Sequence, residues 1–364
     1  MTNTTTALLN LMMEDMNDAP AVFRPTKYWK TASKHILEDI KTAGIENFQS
    51  HKSASKYYVP SYSENLSGQE MNCFSLIEEN FVQFALSNDI DPSRAAHCKT
   101  LYQYFIKGFL EGHIKGYMHY NTFLAADTSK APHLSNISQS SIGNPHELFT
   151  FHGKKYSRVF LNYLRALAFL KKHVSDTDTI KTILEIGGGY GTLGEIMLQS
   201  NHDCFYINID IPPLSYVSTY YLQQVFGQDA IADYSTTRDM EIIDIDILKE
   251  KYRGAVLCPW QLPRIKGNFD LFANFISFQE MEPAIVENYA SYLNRIISKY
   301  MLLRNSSTGK PSSSSSNNKP CVDTPVVRQH YLDFFEPFSL IAADSKIFGD
   351  QHQGLDSEVL ILGR

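Results

Sequence analysis

The chain has 364 residues, 43% of them hydrophobic and 20% charged, with 33 basic against 39 acidic side chains and a net charge of −6. Such a balance describes a folded globular protein and excludes a disordered chain, and the acidic excess gives no electrostatic reason to expect nucleic acid as a partner. No apolar run reaches the ~18 residues a membrane span needs, and the polar opening Met1 to Thr6 lacks the basic flank and apolar stretch of a leader, so a cytoplasmic protein without a membrane span is expected. The cysteines Cys73, Cys98, Cys204, Cys258 and Cys321 are scattered, odd in number and free of any CxxC, which argues for reduced thiols and against a zinc site.

In chain order, residues 1–150 read as a helical N-terminal cap that borders the substrate. Ile36, Ile40 and Ala43 recur at helical spacing, as do Leu76, Phe81, Phe84 and Ala85, and then Leu101, Phe105, Phe109 and Leu110. A polar loop over 129–145 closes on the turn signal Gly143-Asn144-Pro145. Residues 151–364 form the second domain. It opens with an amphipathic helix over 156–174 and continues as alternating strand and helix, with strands expected at 182–186, 205–209, 255–258, 269–275 and 299–304 and a helix at 216–226. That alternation implies an α/β fold with a parallel sheet. Residues 305–320 contain a run of five serines and two asparagines, a flexible low-complexity loop that is either a substrate lid or a slack surface insertion. Strands at 339–348 and 359–362 give an antiparallel finish.

The strand Thr182 to Ile186 runs into Gly187-Gly188-Gly189-Tyr190-Gly191 and then a helical pattern. Glycines in such a turn let a nucleotide-like cofactor touch the backbone, and the open amides of the next helix complete the cradle. Residues 189–194 match GxGxxG, the dinucleotide fingerprint. One step earlier, Glu185 lies two residues before a GxGxG, which resembles motif I of the class I S-adenosylmethionine (SAM) methyltransferases. A carboxylate at that turn favours a cationic sulfonium cofactor over a pyrophosphate. The next strand ends in Asp210, 25 residues after Glu185, where an acid suits the ribose hydroxyls of either cofactor.

From residue 140 onward the chain resembles a bacterial family of sugar O-methyltransferases. The likeness is carried by Gly143-Asn144-Pro145; Tyr156-Ser157; Ile183 to Gly194; Asn208-Ile209-Asp210-Ile211-Pro212-Pro213; Cys258-Pro259-Trp260; and Ser277-Phe278-Gln279-Glu280-Met281, with Tyr28-Trp29 and Gly44 to Phe48 in the cap. It implies a class I, Rossmann-like seven-stranded sheet, SAM as methyl donor and a sugar or glycan as acceptor. It also implies that Tyr156 and Ser157 reach the methionine carboxylate and that Pro259 and Trp260 lie beside the adenine, with Gly187, Gly188, Gly189, Tyr190, Gly191 and Ile211 around the cofactor. A phenolic or peptide acceptor, and a non-catalytic partner subunit of the same fold, remain alternatives, and a homo-oligomer stays open.

For the chemistry, Glu280 is the first candidate base, since a sugar hydroxyl is a weak acid that needs one. The alternative role for Glu280 is to start a helix over 279–289. Gln279 is a candidate to orient the hydroxyl. His330 and His352 are further candidates, each with a structural alternative. Asp350 and Asp356 flank His352 without any metal-ligand spacing, and no metal is expected. Lys154, Lys155 and Arg158 either meet a nucleotide-sugar diphosphate or line a solvated helix face.

Overall fold

The structure, a computed structural model, describes residues 3–62, 112–310, 322–352 and 355–364, with isolated positions between 80 and 97. The helical patterns expected at 76–85 and 101–110, and residues 311–321 of the serine-rich stretch, lie outside the described residues.

The cap contains α1 (Asn3–Asp18), α2 (Lys27–Ala43), α3 (Lys52–Tyr57) and α4 (Lys115–Ala126). Helix α2 buries Trp29, Ala32, Ser33, Ile36 and Ile40 along one stripe and stops at Gly44, whose φ of 80° and N–H bond to the Ile40 carbonyl close the last turn. Asp15 of α1 ties the cap to the rest of the protein. It accepts from Arg238 Nε at 2.6 Å and from the Tyr234 hydroxyl at 2.6 Å, and the Arg238 contact holds its carboxyl below the usual range.

A hairpin of β1 (Phe149–Phe151) and β2 (Lys154–Tyr156) straddles residue 150. Helix α5 (Arg158–His173) follows. The Ser157 hydroxyl caps it by accepting from Phe160 N at 3.3 Å, and Lys171, Lys172 and His173 fill the last turn, where the helix dipole favours cations. Lys171 is buried, and its ammonium is satisfied by Asp127 at 2.5 Å, the Pro132 carbonyl at 2.7 Å and the Thr128 carbonyl at 2.8 Å.

The remaining elements are β3 (Thr182–Ile186), α6 (Thr192–Ser200), β4 (Phe205–Ile209), α7 (Leu214–Phe226), β5 (Ile231–Ala232), α8 (Tyr234–Thr237), β6 (Ile243–Asp244), α9 (Ile245–Lys251), β7 (Gly254–Leu257), β8 (Ile265–Lys266), β9 (Phe269–Phe275), α10 (Pro283–Ile296), β10 (Ile297–Ser306), α11 (Arg328–Phe334), β11 (Ser339–Asp344), β12 (Asp350–His352) and β13 (Leu355–Gly363). The main sheet runs β5-β7-β4-β3-β9-β10-β13-β11, parallel from β5 to β10, with β13 antiparallel to both its neighbours. This strand order is the one implied by the resemblance to class I methyltransferases. The seven expected strands are present, and the sheet is extended by the two-residue β5 at one edge and by β12, which pairs with β13.

Alternation along the strands divides the core between the two faces. Ile183 and Tyr206 pack on the side of α5, α6 and α7, whereas Leu184, Ile186, Ile207 and Ile209 pack on the side of α10 and α11. Several expected boundaries shift by a few residues, and two of the shifts bear on the site. Asn305 and Ser306 belong to β10 rather than to the loop, and the helix expected over 279–289 begins at Pro283, because proline at the first helical position fixes its start. Among the described residues no helix is long and apolar enough to cross a membrane.

Candidate active site

At the carboxyl edge of the parallel strands a cavity of about 330 Å³ opens between the sheet and the cap. Open α/β sheets bind ligands at this edge, and the size suits a ligand-sized molecule. The sheet contributes the turn after β3, Asp210 and Ile211 after β4, Pro259 after β7, and Ser277, Gln279 and Glu280 after β9; the cap contributes Arg24, Trp29, Tyr57 and Tyr58.

The first three of the turn's four glycines fall into two kinds. A Cβ on Gly187 would stand 2.1 Å from Ser277 Oγ, and one on Gly188 would stand 2.5 Å from Glu185 Oε2, so both are needed for close packing. A Cβ on Gly189 would meet nothing within 4 Å. Gly189 therefore faces open space, with a φ of 58° and its N–H donating to Asp210 Oδ2 at 2.8 Å. Ile211 N donates to Asp210 Oδ1 at 2.7 Å. Burial pushes the Asp210 carboxyl up to about 8, against the pull of these two amides.

Amide side chains brace the turn. Asn208 accepts from Gly188 N at 3.2 Å and donates to Ser218 Oγ at 2.9 Å. Asn274 donates to the Ile186 carbonyl at 2.8 Å and accepts from Asn305 Nδ2 at 3.0 Å. Just beyond it, Ile276 holds a φ of 71°, a conformation that costs a β-branched residue ~1–3 kcal/mol. Its N–H is tied to the Arg304 carbonyl at 2.7 Å, and the kink it makes turns Ser277 to Glu280 over the cavity.

Glu280 lies in that short 3-10 turn, 8% exposed. Its Oε2 accepts from the Trp29 indole at 3.0 Å, and its Oε1 accepts from Lys310 Nζ at 2.6 Å. The residues next to Glu280 in sequence are apolar or neutral, and the charge that meets it comes from a lysine 30 residues downstream. Gln279 is buried beside it, and its side-chain oxygen accepts from Ser306 N at 2.5 Å.

The structure brings Gly187, Gly188, Gly189, Tyr190, Asp210, Ile211, Pro259, Gln279 and Glu280 to one cavity. It does not bring Glu185, Tyr156, Ser157, Gly191, Trp260 or His330 to its wall. Glu185 faces the α5 side of the sheet, where it accepts from the Tyr163 hydroxyl at 2.7 Å and from the Tyr206 hydroxyl, and burial pushes its carboxyl up to about 7. Tyr163, stacked 4.1 Å from Phe275, is the side chain that reaches the cavity in its place. The carboxylate expected to face the ligand is therefore turned away from the cavity.

Tyr156 is packed among Tyr120, Phe151 and Phe160, Ser157 is spent as the α5 cap, and Gly191 caps α6 at a φ of 97°. The Trp260 indole donates to the Tyr234 hydroxyl at 3.0 Å, which turns the ring away from the cavity. His330 accepts from Val327 N at 3.1 Å and stacks on Phe334, a structural role at the start of α11. His352 belongs to β12, and its side chain lies outside the described residues. Of Lys154, Lys155 and Arg158, only Arg158, the first residue of α5, reaches the wall, and it donates to the Ser61 carbonyl at 2.8 Å. Among the described residues no group of three or more His, Cys, Asp or Glu is arranged to hold a metal.

Several wall residues had weak sequence signals. The abrupt change from Met301-Leu302-Leu303 to Arg304-Asn305-Ser306 marks the strand tip that presents Arg304 and Ser306. The run Tyr57-Tyr58 before Pro60 marks the aromatic part of the roof. Nothing in the sequence paired Lys310 with Glu280.

No protein-family model matches this chain, and no curated protein matches it. Solved structures do. Magnesium protoporphyrin IX methyltransferase from Synechocystis PCC 6803 with bound SAM is 12% identical over 57% of this chain and 81% of that one, with a TM-score of 0.37. Mitomycin 7-O-methyltransferase is 9% identical over 93% and 69%, with a TM-score of 0.36. A SAM-dependent methyltransferase from Clostridium acetobutylicum is 8% identical over 55% and 91%, with a TM-score of 0.37. At these scores the likeness carries no weight for ligand or chemistry, and the fold rests on the strand order itself.

Proposed function

We propose that this chain is a SAM-dependent O-methyltransferase whose acceptor is a hydroxyl of a sugar or glycan. The observation that carries the reading is the single cavity in which the glycine turn, the β4-tip carboxyl Asp210 and the carboxylate of Glu280 meet under the Trp29 roof. The site fits the nucleoside. Gly189 leaves room where a side chain would stand, and Asp210 presents oxygens to a pair of ribose hydroxyls.

When bound, SAM supplies a methyl group on a sulfonium: the S–CH3 bond breaks as an O–CH3 bond forms, and the hydroxyl gives up its proton. The protein's part is to hold the hydroxyl in line and to receive that proton. Glu280 is the acceptor of the proton in this reading, held in place by the Trp29 indole. Gln279 is the neighbouring orienting group. Tyr57, Tyr58 and Trp29 supply aromatic side chains on the wall for a sugar to pack against.

A phenolic acceptor is the second reading, favoured by Val22, Met281 and Ile285 on the same wall. The test is incubation with methyl-labelled SAM and a panel of sugars, sugar phosphates and simple phenols, with label in the product counted. Transfer to a sugar supports the first reading, and transfer confined to phenols replaces it with the second. Binding of S-adenosylhomocysteine without transfer to either class overturns both.

A further inference from the structure

We infer that the acceptor carries an anionic group, a phosphate or a carboxylate, and that Lys310 and Arg24 bind it. The inference rests on the methyltransferase reading of the cavity and adds the chemical class of its second ligand.

Glu280 and Lys310 form an ion pair in which the two side chains are 10% and 14% exposed. A pair this far from water repays its desolvation poorly unless something else is gained from it. Lys310 does not itself line the cavity; the gain is a cation held directly behind Glu280, which does. The Lys310 ammonium also lies 4.3 Å from the centre of the Tyr28 ring, so it is poised beside an aromatic face as well as on the carboxylate. Lysine suits such an exchange, because its ammonium is a point charge on a flexible stem with three rotatable donors.

Arg24 lies on the cap side of the same cavity and is exposed. Its Nε is bonded to the Ala19 carbonyl at 2.5 Å, which fixes the plane of the guanidinium and leaves its fork of terminal nitrogens for planar recognition of a carboxylate or phosphate. Arg158 and Arg304 reach the wall as well, but both are engaged within the protein, which leaves Arg24 on the wall and Lys310 behind Glu280 to meet an incoming anion. The acids on the wall are Asp210 and Glu280. Asp210 accepts from the turn amides and, in the methyltransferase reading, serves the ribose, whereas Glu280 is the group that an incoming anion would relieve of its lysine.

An anionic acceptor therefore does two things at once. It takes the ammonium from Glu280, and in doing so it leaves that carboxylate facing the acceptor hydroxyl with only the indole bond to hold it. A neutral sugar has no charge with which to draw Lys310 away.

The experiment is calorimetric titration of the full chain, saturated with S-adenosylhomocysteine, using glucose 1-phosphate, glucuronate and neutral methyl glucoside. The proposal expects at least one of the two anions to bind at least tenfold more tightly than methyl glucoside, and the better of the two to name the group. It expects Lys310→Met and Arg24→Gln each to weaken that anion at least tenfold with S-adenosylhomocysteine affinity unchanged. Arg24 is exposed, so its variant keeps the test alive if Lys310→Met fails to fold. Equal binding of the neutral glycoside, binding of neither anion, or anion affinity kept in Arg24→Gln overturns the proposal. Failure of S-adenosylhomocysteine itself to bind would instead overturn the methyltransferase reading.

Discussion

Gly187 and Gly189 both lie in the left-handed region, at φ of 70° and 58°, yet the same substitution should have two different outcomes. In Gly189→Ala the new methyl meets nothing within 4 Å, so the cost in the free protein is the left-handed backbone alone, about 1–2 kcal/mol. The methyl stands in the open space that the nucleoside should cross. In Gly187→Ala the methyl must displace Ser277, whose Oγ would be 2.1 Å away and which is itself bonded to Asn274 and the Ile186 carbonyl. Overpacking of ~1–3 kcal/mol then adds to the backbone term, for a total of about 2–5 kcal/mol. Thermal unfolding and calorimetric titration with S-adenosylhomocysteine separate the two. Gly189→Ala should lower Tm by a few degrees and abolish or strongly weaken binding, while Gly187→Ala should lower Tm by clearly more. Full affinity in Gly189→Ala would refute the placement of the ligand over that residue, and a smaller Tm loss in Gly187→Ala than in Gly189→Ala would refute the packing described for the turn.

Asp210→Ala should weaken S-adenosylhomocysteine about 10- to 100-fold by removing the ribose acceptor, as measured by the same titration; unchanged affinity would remove Asp210 from the site. Glu280→Gln should spare that affinity and lower turnover at least ~100-fold on whichever acceptor is methylated, and undiminished turnover with chemistry rate-limiting would end its assignment as base. Stability should depend on pH through the buried carboxyls. Glu185 and Glu195 are pushed by burial up to about 7 and Asp210 up to about 8, so the folded state keeps protons that the unfolded chain releases near pH 4. Each such group makes unfolding easier as pH rises from about 4 towards its folded value, by up to ~1.4 kcal/mol per pH unit. The unliganded protein should therefore lose Tm between pH 5 and 7, and Glu195→Gln, which mimics the protonated side chain, should flatten the slope. A flat profile in the wild-type chain would show that these carboxyls are ionised when folded.

The parts of the fold and site legible in the sequence are those governed by local pattern. The strands at 182–186, 205–209 and 269–275 were set by apolar runs ending at turns, and the observed strands have the same bounds. The glycine turn and Asp210 were legible because a backbone cradle and a strand-tip acid demand particular residue types at a fixed spacing. What the sequence concealed depends on direction and on long-range pairing. Glu185 has the right position for a cofactor contact, but strand alternation sends its carboxyl to the face covered by α5, where Tyr163 and Tyr206 hold it. Trp260 has the right position for stacking on adenine, but its indole finds the Tyr234 hydroxyl instead. The Trp29–Glu280 and Lys310–Glu280 contacts join segments 251 and 30 residues apart, and no periodicity could have paired them. The left-handed Ile276 was equally hidden, because no composition rule places a β-branched residue at positive φ.

The central claim is that the turn at Gly187 to Gly189 and the carboxyl of Asp210 hold an adenosyl cofactor rather than a dinucleotide. Calorimetric titration of the full chain with SAM, S-adenosylhomocysteine and NAD tests it most directly. The account predicts saturable binding of both adenosyl ligands, weakened by Asp210→Ala, and no binding of NAD. Binding of NAD with none of SAM or S-adenosylhomocysteine would contradict it and return the glycine turn to the dinucleotide fingerprint.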